Sequence, residues 1–218
     1  FSGHPNFKKI LAQPHHTMTK EEQSFLDNEV EQLCSMIDDY KFYRTKVMPP
    51  EVWEFVRRKG FLGMIIPKEY GGLGFSHSAH SAVIQKISSR SIGLTIYVMV
   101  PNSLGPAELL VRYGTDAQKK KYLPRLANGD EIHCFGLTEP AAGSDAGSMA
   151  AISTLIGLAF RLRDPENILG RGEDLGITCA LIPSNLKGVV IGRRHDPLGV
   201  PFHNCPTQGH DVVVKAED

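Results

Sequence analysis

The stretch FGLTEPAAGSDAGS, residues 135–148, stands between two parts of the chain with different sequence texture. Residues 136–148 contain three Gly, three Ala, two Ser, one Thr and one Pro, and only Glu139 and Asp145 are charged. This segment lacks the large apolar side chains of a core element. It is therefore either a connecting loop or a loop whose backbone approaches a ligand, since glycine permits close contact.

The sequence before this stretch predicts helices. Thr19 and Glu22 have the spacing of a capping box, and Pro50 and Gly60 suit the first turn and the end of another helix. We expect further helices at 78–90, 103–114 and 115–129, the last shortened or kinked at Pro124. The uniformly apolar run 92–100 is expected either to be buried on all sides or to line a cavity.

From about residue 131 the sequence predicts strands. Short β-branched or aromatic segments are separated by Gly, Pro, Asn and Asp. The predicted strands are 132–138, 150–160, 175–183, 188–192 and 210–215. A helical block followed by a strand block indicates an α+β chain. We expect an all-α N-terminal domain at 1–130 and a β-sheet or barrel-like middle domain at 131–218.

The composition argues against several classes of protein. Lys plus Arg and Asp plus Glu both number 24, so the basic excess typical of a nucleic-acid binder is missing. Four widely spaced cysteines without a CxxC pair fit a reducing compartment, and no zinc-like spacing predicts a metal site. The apolar runs 92–100 and 150–160 are shorter than the roughly 18–20 residues of a membrane helix.

Known loop motifs do not match residues 135–148. The stretch is neither GxGxxG nor a P-loop, and Ala142 and Ala146 occupy the positions around Ser144 where a nucleophile elbow requires glycine. The GLGF at 72–75 is followed by helical rather than strand spacing, which argues against a peptide-binding PDZ domain. On composition alone, an exposed connecting loop is the favoured interpretation.

Five partly overlapping segments in colinear order resemble the acyl-CoA dehydrogenase family. CFGLTEPAAGSDAGS, at 134–148, is similar to that family's flavin-facing segment, and PKEYGGLGFS, at 67–76, to its Pro-x-x-Tyr-Gly-Gly-x-Gly stretch. Residues 101–140 resemble the helix pair leading into the flavin-facing strand. Residues 170–183 and 188–214 look closest to the large bacterial fatty acyl-CoA dehydrogenases of β-oxidation. The resemblance covers nearly the whole chain.

The resemblance implies an N-terminal helical domain, a middle β domain and a C-terminal helical bundle, with FAD between them. It also implies a reaction in which a base removes the α-proton of a fatty acyl-CoA while the β-hydride passes to the flavin. The implied partners are the acyl-CoA substrate, an electron-transferring flavoprotein as acceptor and further copies of the chain, with no nucleic acid.

The resemblance also assigns residues to the site. Phe135 and Leu137 are expected to contact the flavin, in part through their backbone, and Thr138 to hydrogen-bond its ring. Ser144 is expected to contact both the cofactor and the CoA side of the substrate. Two residues in or after the apolar run are expected to line the acyl cavity: Val100 and Leu104.

Three departures from the family pattern limit these expectations. The family's catalytic glutamate lies in its C-terminal bundle, which this chain lacks, so we expect no catalytic base within these residues. Family strands that carry a Trp and a Thr beside the flavin are missing between Met149 and Ala150, and the only Trp is Trp53. Ala141 replaces the usual Gly after Thr-Glu-Pro, a change we expect to be tolerated.

Alternative functions stay open at this point. An acyl-CoA oxidase or another flavoprotein could use the same scaffold, and the chain alone could be a non-catalytic binding or assembly fragment. We expect a cytoplasmic location, with membrane association possible only through segments outside this chain.

Overall fold

The computed structural model describes residues 3, 5–12, 17–103, 105–136, 154–194, 199–201 and 205–215. The helices are α1 (Phe7–Leu11), α2 (Lys20–Asp27), α3 (Glu29–Met36), α4 (Asp39–Thr45), α5 (Pro50–Arg58), α6 (His77–Ser88), α7 (Ile92–Ser103), α8 (Pro106–Tyr113) and α9 (Asp116–Ala127). The strands are β1 (His133–Gly136), β2 (Leu155–Arg163), β3 (Asp174–Pro183), β4 (Val189–Ile191) and β5 (Thr207–Gly209). The predicted α+β class is confirmed.

The predicted capping box at the start of α2 is present and has a second function. The Glu22 carboxylate accepts from the backbone N–H of Thr19 at 2.7 Å, while the Thr19 hydroxyl accepts from the Glu22 N–H at 3.2 Å. The other Glu22 oxygen accepts from the N–H of Ser76, the N-cap of α6, at 2.7 Å. One buried carboxylate therefore holds two helix N-termini together.

The helices α2 to α7 enclose one apolar core. Phe25, Phe61 and Phe75 pack at ring-centroid distances of 4.8 and 5.2 Å, in tilted and edge-to-face arrangements. Further buried members of this core come from each helix and its connections: Val30, Leu33, Ile37, Phe42, Val52, Phe55, Val56, Val83, Ile87, Leu94 and Val98. This core holds α7 in place from one side.

The connection between α5 and α6 is an irregular segment tied to α7. Short 3₁₀ turns occupy Phe61–Gly63 and Lys68–Tyr70. The buried Asn102 of α7 donates to the carbonyls of Phe61 and Val98 at 2.6 and 2.8 Å and accepts from the Ile65 N–H at 3.3 Å. Because its polar atoms are all paired, Asn102 fixes this connection without a buried unsatisfied group.

The apolar run 92–100 is helical, in agreement with the helices predicted for the sequence before residue 135. It forms most of α7, and Gly93, Leu94, Val98 and Val100 are buried, but Ile92 is 54% exposed, so the run is not buried on all sides. The stretch Ile92–Tyr113 is long and apolar enough to cross a membrane by length and composition, yet 59% of its apolar window is buried inside the protein. That burial is typical of a core helix in a folded domain.

Pro124 does not shorten its helix, whereas the alternative expectation of a kink there stays a prediction. α9 continues through Pro124 to Ala127, and the carbonyl of Pro124 still accepts from the N–H of Asn128 at 3.2 Å. Tyr122, Leu123 and Leu126 of this helix are buried. We infer that this packing outweighs the hydrogen bond that a proline removes.

The strands form two small open sheets. β1 pairs parallel with β2 from His133 opposite Leu155 to Gly136 opposite Leu158, and β3 pairs antiparallel with β2. β4 and β5 form a separate two-stranded sheet. Within the described residues these open sheets match the β-sheet alternative of the predicted middle domain.

The prediction of a last strand at residues 210–215 was wrong. The strand is Thr207–Gly209, and residues 210–215 are not in a strand despite their three valines. Asp211 has a φ of 50°, which an extended strand does not permit, and Val213 is 84% exposed. Local β propensity alone did not place these valines in the sheet.

The helical and strand parts share an apolar interface. Ile66, Leu123 and Leu126 on the helical side pack with Leu155 of β2 and Leu181 of β3. The last helix ends at Ala127 and the first strand begins at His133. Whether residues 1–130 and 131–218 are two separate domains stays a prediction.

Candidate functional site

The structure describes two of the six predicted site residues. Phe135 lies in β1, where it pairs with Gly157 of β2, and Val100 lies near the end of α7 with 6% of its surface exposed. The other four lie outside the described residues: Leu104, Leu137, Thr138 and Ser144. Their predicted contacts stay predictions.

β1 leads directly into the glycine-rich segment. Its backbone is held by parallel pairing with β2, and in the described part of the chain β1 is the first strand in the order β1-β2-β3. An edge strand presents a row of backbone N–H and C=O groups along its second side. Such an edge can hydrogen-bond a flat heterocycle that lies alongside the strand.

Thr154 fixes the start of β1 to the start of β2. Its N–H donates to the carbonyl of Ile132 at 2.7 Å, and its hydroxyl accepts from the Ile132 N–H at 3.0 Å. Its own carbonyl accepts from the Ser184 N–H, just after β3, at 2.9 Å. The point where β1 begins is thus set by backbone groups of three segments.

His133 connects β1 to α7, and the sequence analysis did not single it out. The imidazole is 4% exposed, and its Nε2 lies 3.2 Å from the carbonyl oxygen of Pro101, the residue after Val100. Nothing in the local sequence pattern predicts this contact, because it joins residues that are far apart in the chain. It brings the end of α7 next to the strand that carries Phe135.

A cavity of about 220 Å³ lies between α8, the start of α9 and the sheet. Its helical side includes Leu109, Leu110 and Tyr113, and its strand side includes Gly157 and Leu181. The remaining lining residues are Pro106, Gly114, Gln118, Cys179 and Ala180. Because most of these side chains are apolar and none is a carboxylate, imidazole or amine, the cavity suits an apolar group.

Two acidic side chains, one just before β1 and one just after β2, have structural partners. Glu131 forms an ion pair with Arg125 of α9 at 2.7 Å. In the loop after β2, Asp164 accepts from the backbone N–H groups of Ile168 and Leu169 at 2.9 and 2.7 Å. Among the described residues, no group of three His, Cys, Asp or Glu side chains is placed to hold a metal ion.

A comparison with known protein families identifies the helical part. The family model described as the acyl-CoA dehydrogenase N-terminal domain matches residues 13–130, more than half of the 218-residue chain. The chain belongs to the acyl-CoA dehydrogenase family. The family resemblance drawn from the sequence is thereby confirmed.

Relatives within this family differ in their substrates. The chain is 33% identical to the 3-(aryl)acrylate reductase of Clostridium sporogenes, over 94% of this chain and 56% of that protein. It is 31% identical to the human mitochondrial very long-chain specific acyl-CoA dehydrogenase, over 79% of this chain and 27% of that protein. The chain spans about half the length of the first curated relatives it matches.

Solved structures share the fold of this family member. The butyryl-CoA dehydrogenase of Megasphaera elsdenii superposes with a TM-score of 0.76 at 18% identity, over 94% of this chain and 59% of that one. An FAD complex of PigA superposes with a TM-score of 0.76 at 17% identity, over 94% of this chain and 58% of that one. At these identities the likeness concerns the fold.

Proposed function

We propose that the full-length protein is an FAD-dependent dehydrogenase of fatty acyl-CoA thioesters. The observation that carries this proposal is the position of β1, which leads from a family-matched helical part straight into the Thr-Glu-Pro and Gly-Ser-Asp segment of residues 138–145. A relative with 31% identity is a very long-chain specific acyl-CoA dehydrogenase, which supports a fatty substrate.

The residues of this chain would hold the cofactor along one edge of the sheet. FAD, when bound, would supply an acceptor for the hydride that leaves the β-carbon of the substrate. The backbone of Phe135 and Leu137 would contact its ring system, and the Thr138 hydroxyl would donate or accept one hydrogen bond there. Ser144 would contact both the cofactor and the CoA side of the thioester.

The described part of the chain fits such a group in two respects. β1 is an edge strand in the described sheet, and Gly136 at its end has no Cβ that would keep a flat ring away from the backbone. The strand is held at its start by Thr154 and His133, so its outer edge has a fixed position. A fixed hydrogen-bonding edge orients a ring at little entropic cost.

The acyl chain would lie along the end of α7. Val100 and Leu104 would contact it, and the α-proton would pass to a carboxylate that the family resemblance places outside these 218 residues. Loss of that proton with the β-hydride leaves a double bond between the α- and β-carbons. The electrons would then pass to an electron-transferring flavoprotein. The full-length protein would assemble as a homo-oligomer.

The proposal is tested by purifying the full-length protein and measuring bound FAD. Palmitoyl-CoA added without oxygen should bleach the visible flavin absorbance. A full-length protein that remains colourless and takes up no FAD would end the proposal.

A second candidate function is the reverse reaction, the reduction of a carbon–carbon double bond, on a different substrate. It is favoured by the 33% identity to a 3-(aryl)acrylate reductase, which covers 94% of this chain. A protein of this kind would leave palmitoyl-CoA unchanged and would saturate the double bond of an aryl acrylate when given a reductant.

An oxidase on the same scaffold is distinguished by its electron acceptor. Hydrogen peroxide formed in proportion to the product, with oxygen as the only acceptor, would identify an oxidase. Turnover that requires an electron-transferring flavoprotein would identify a dehydrogenase.

A further inference from the structure

The side chain of His133 fills the junction between α7 and α8. His133 is the first residue of β1 and is 4% exposed, and β1 contacts both helices. A polar ring buried to this extent costs free energy unless its hydrogen bonds are made. The partners of this ring therefore indicate what the residue does.

Gly105 gives the imidazole the space it occupies. A Cβ on Gly105 would lie 1.8 Å from Nε2 and 2.1 Å from Cδ2 of His133, far closer than atoms can approach. The φ of Gly105 is −83°, which any residue adopts, so backbone conformation does not require a glycine here. Residue 105 must lack a side chain because His133 lies against its backbone.

The imidazole satisfies a helix carbonyl that has no partner within its own helix. The last four carbonyls of an α-helix lack intrahelical partners, and in α7 the carbonyl of Val100 accepts from the Gly105 N–H at 3.0 Å. The next carbonyl, that of Pro101, lies 3.2 Å from His133 Nε2. Because a carbonyl only accepts, Nε2 must carry the hydrogen.

The imidazole is neutral at ordinary pH. Burial lowers its pKa from 6.5 to about 4, and the hydrogen bond to Pro101 offsets only part of this effect. A neutral ring with hydrogen on Nε2 is a single tautomer. His133 therefore makes one defined contact with α7.

The two elements joined by this contact carry the predicted flavin and acyl contacts. Pro101 follows Val100 directly in α7, and His133 precedes Phe135 by two residues in β1. A buried histidine that only filled core space would not need to connect these two positions. The hydrogen bond to Pro101 and the close contact with Gly105 fix the position of α7 relative to β1.

We propose that His133 is a positioning residue that fixes the acyl-binding end of α7 relative to the flavin-binding strand β1. This inference rests on the proposed function. Hydride transfer requires the reacting atoms to lie about 3–3.5 Å apart, and a displacement of about 1 Å can lower the rate on the order of 100-fold. A link between the two binding elements therefore acts on the chemical step.

The first test compares His133→Leu with His133→Gln in the full-length holoprotein. Leu fills similar space without a donor, whereas the Gln amide can place an N–H near the position of Nε2. We expect His133→Leu to keep its FAD and to lose about ten-fold in kcat with little change in KM, since one 1.4 kcal/mol hydrogen bond corresponds to about ten-fold. His133→Gln should recover most of that loss.

The control is His80→Leu, which removes another buried histidine. His80 lies on α6, is 8% exposed, and its Nε2 has no hydrogen-bond partner in the described part of the chain. We expect its kcat to match that of the wild type. Wild-type kcat in His133→Leu, or equal losses in His133→Leu and His133→Gln, would overturn the proposal.

A second test uses the contact between residues 105 and 133. Gly105→Ala should lower the yield or the melting temperature strongly, and His133→Ala in the same chain should restore much of it, because the double variant removes the clash. Effects that simply add would contradict the packing on which the proposal depends. This test needs no activity, so it separates failure of this inference from failure of the proposed function.

Discussion

The carboxylate of a single residue, Glu22, caps two helices. Burial raises the pKa of its carboxyl, but hydrogen bonds from Ser76 and Thr19 outweigh burial and lower the pKa from 4.5 to about 2. Because the folded-state pKa is lower than the ordinary value, the ionised carboxylate stabilises the fold above pH 4.5. This contribution is lost as the pH falls from about 4.5 towards 2.

We predict that Glu22→Gln lowers the free energy of unfolding by about 1–3 kcal/mol at neutral pH, because one backbone N–H loses its acceptor. The difference between wild type and variant should shrink as the pH falls below 4.5. Urea denaturation at several pH values, followed by Trp53 fluorescence, measures this difference.

The matched control for Glu22 is its neighbour Glu21. Glu21 forms an ion pair with Lys68, and the two side chains are 59% and 62% exposed. Glu21→Gln should change stability by less than about 0.5 kcal/mol, as is usual for exposed pairs. Equal losses in the Glu21 and Glu22 variants would show that the shared cap has no special effect.

Two neighbouring glycines in the connection between α5 and α6 are needed for different physical reasons. A Cβ on Gly72 would lie 2.0 Å from the carbonyl oxygen of Ile66, so this position has no room for a side chain. Gly71 has open space around it but a φ of +84°, which disfavours other residues. Glycine is thus required at position 72 for steric reasons and favoured at position 71 for conformational reasons.

We predict that Gly72→Ala destabilises the protein more than Gly71→Ala. The conformational cost at Gly71 is about 1–2 kcal/mol, whereas Gly72→Ala forces the backbone of two segments apart. Since 1 kcal/mol lowers the melting temperature by about 2–4 °C at this size, Gly71→Ala should lower it by about 2–8 °C. A smaller decrease in Gly72→Ala would contradict the assigned clash.

Local signals in the sequence predicted helix starts well. The capping box predicted at Thr19 is present, and another is found at Thr115; each is formed by residues three apart in the chain. Leu26, Val30, Leu33 and Ile37 have the spacing of one helical face, yet the chain is divided there between α2 and α3 at Asn28, whose ψ is −70°. Spacing of apolar residues did not reveal this break.

Features that depend on distant contacts could not be predicted. The pairing of His133 with Pro101 and Gly105 joins residues that only the folded chain brings together. Pro124 remains inside α9 because the packing of that helix overrides its local preference. The family resemblance supplied the predicted site residues, whereas periodicity and composition alone favoured a connecting loop.

At the scale of the whole molecule, two of the described contacts between the helical and strand parts lie away from His133. One is the apolar interface of Ile66 and Leu123 with Leu155. The other is at the end of α4, where Lys46 donates to the carbonyl of Gly199 and its own carbonyl accepts from Arg194 at 2.9 Å.

We predict that the 218-residue chain alone oxidises no fatty acyl-CoA, even with added FAD and an artificial electron acceptor. The family resemblance places the catalytic carboxylate outside this chain, and general-base catalysis contributes about 10²–10⁴-fold. The full-length protein assayed in parallel is the positive control. Turnover by the chain alone would show that the base lies within it.

The proposed reaction of the full-length protein removes two hydrogens from a fatty acyl-CoA. The direct test is to incubate the FAD-loaded protein with palmitoyl-CoA and an electron-transferring flavoprotein. The masses of the CoA thioesters are then measured by mass spectrometry. We expect a thioester lighter by two hydrogen atoms. Palmitoyl-CoA recovered unchanged from an FAD-loaded protein that instead reduces an aryl acrylate would contradict it.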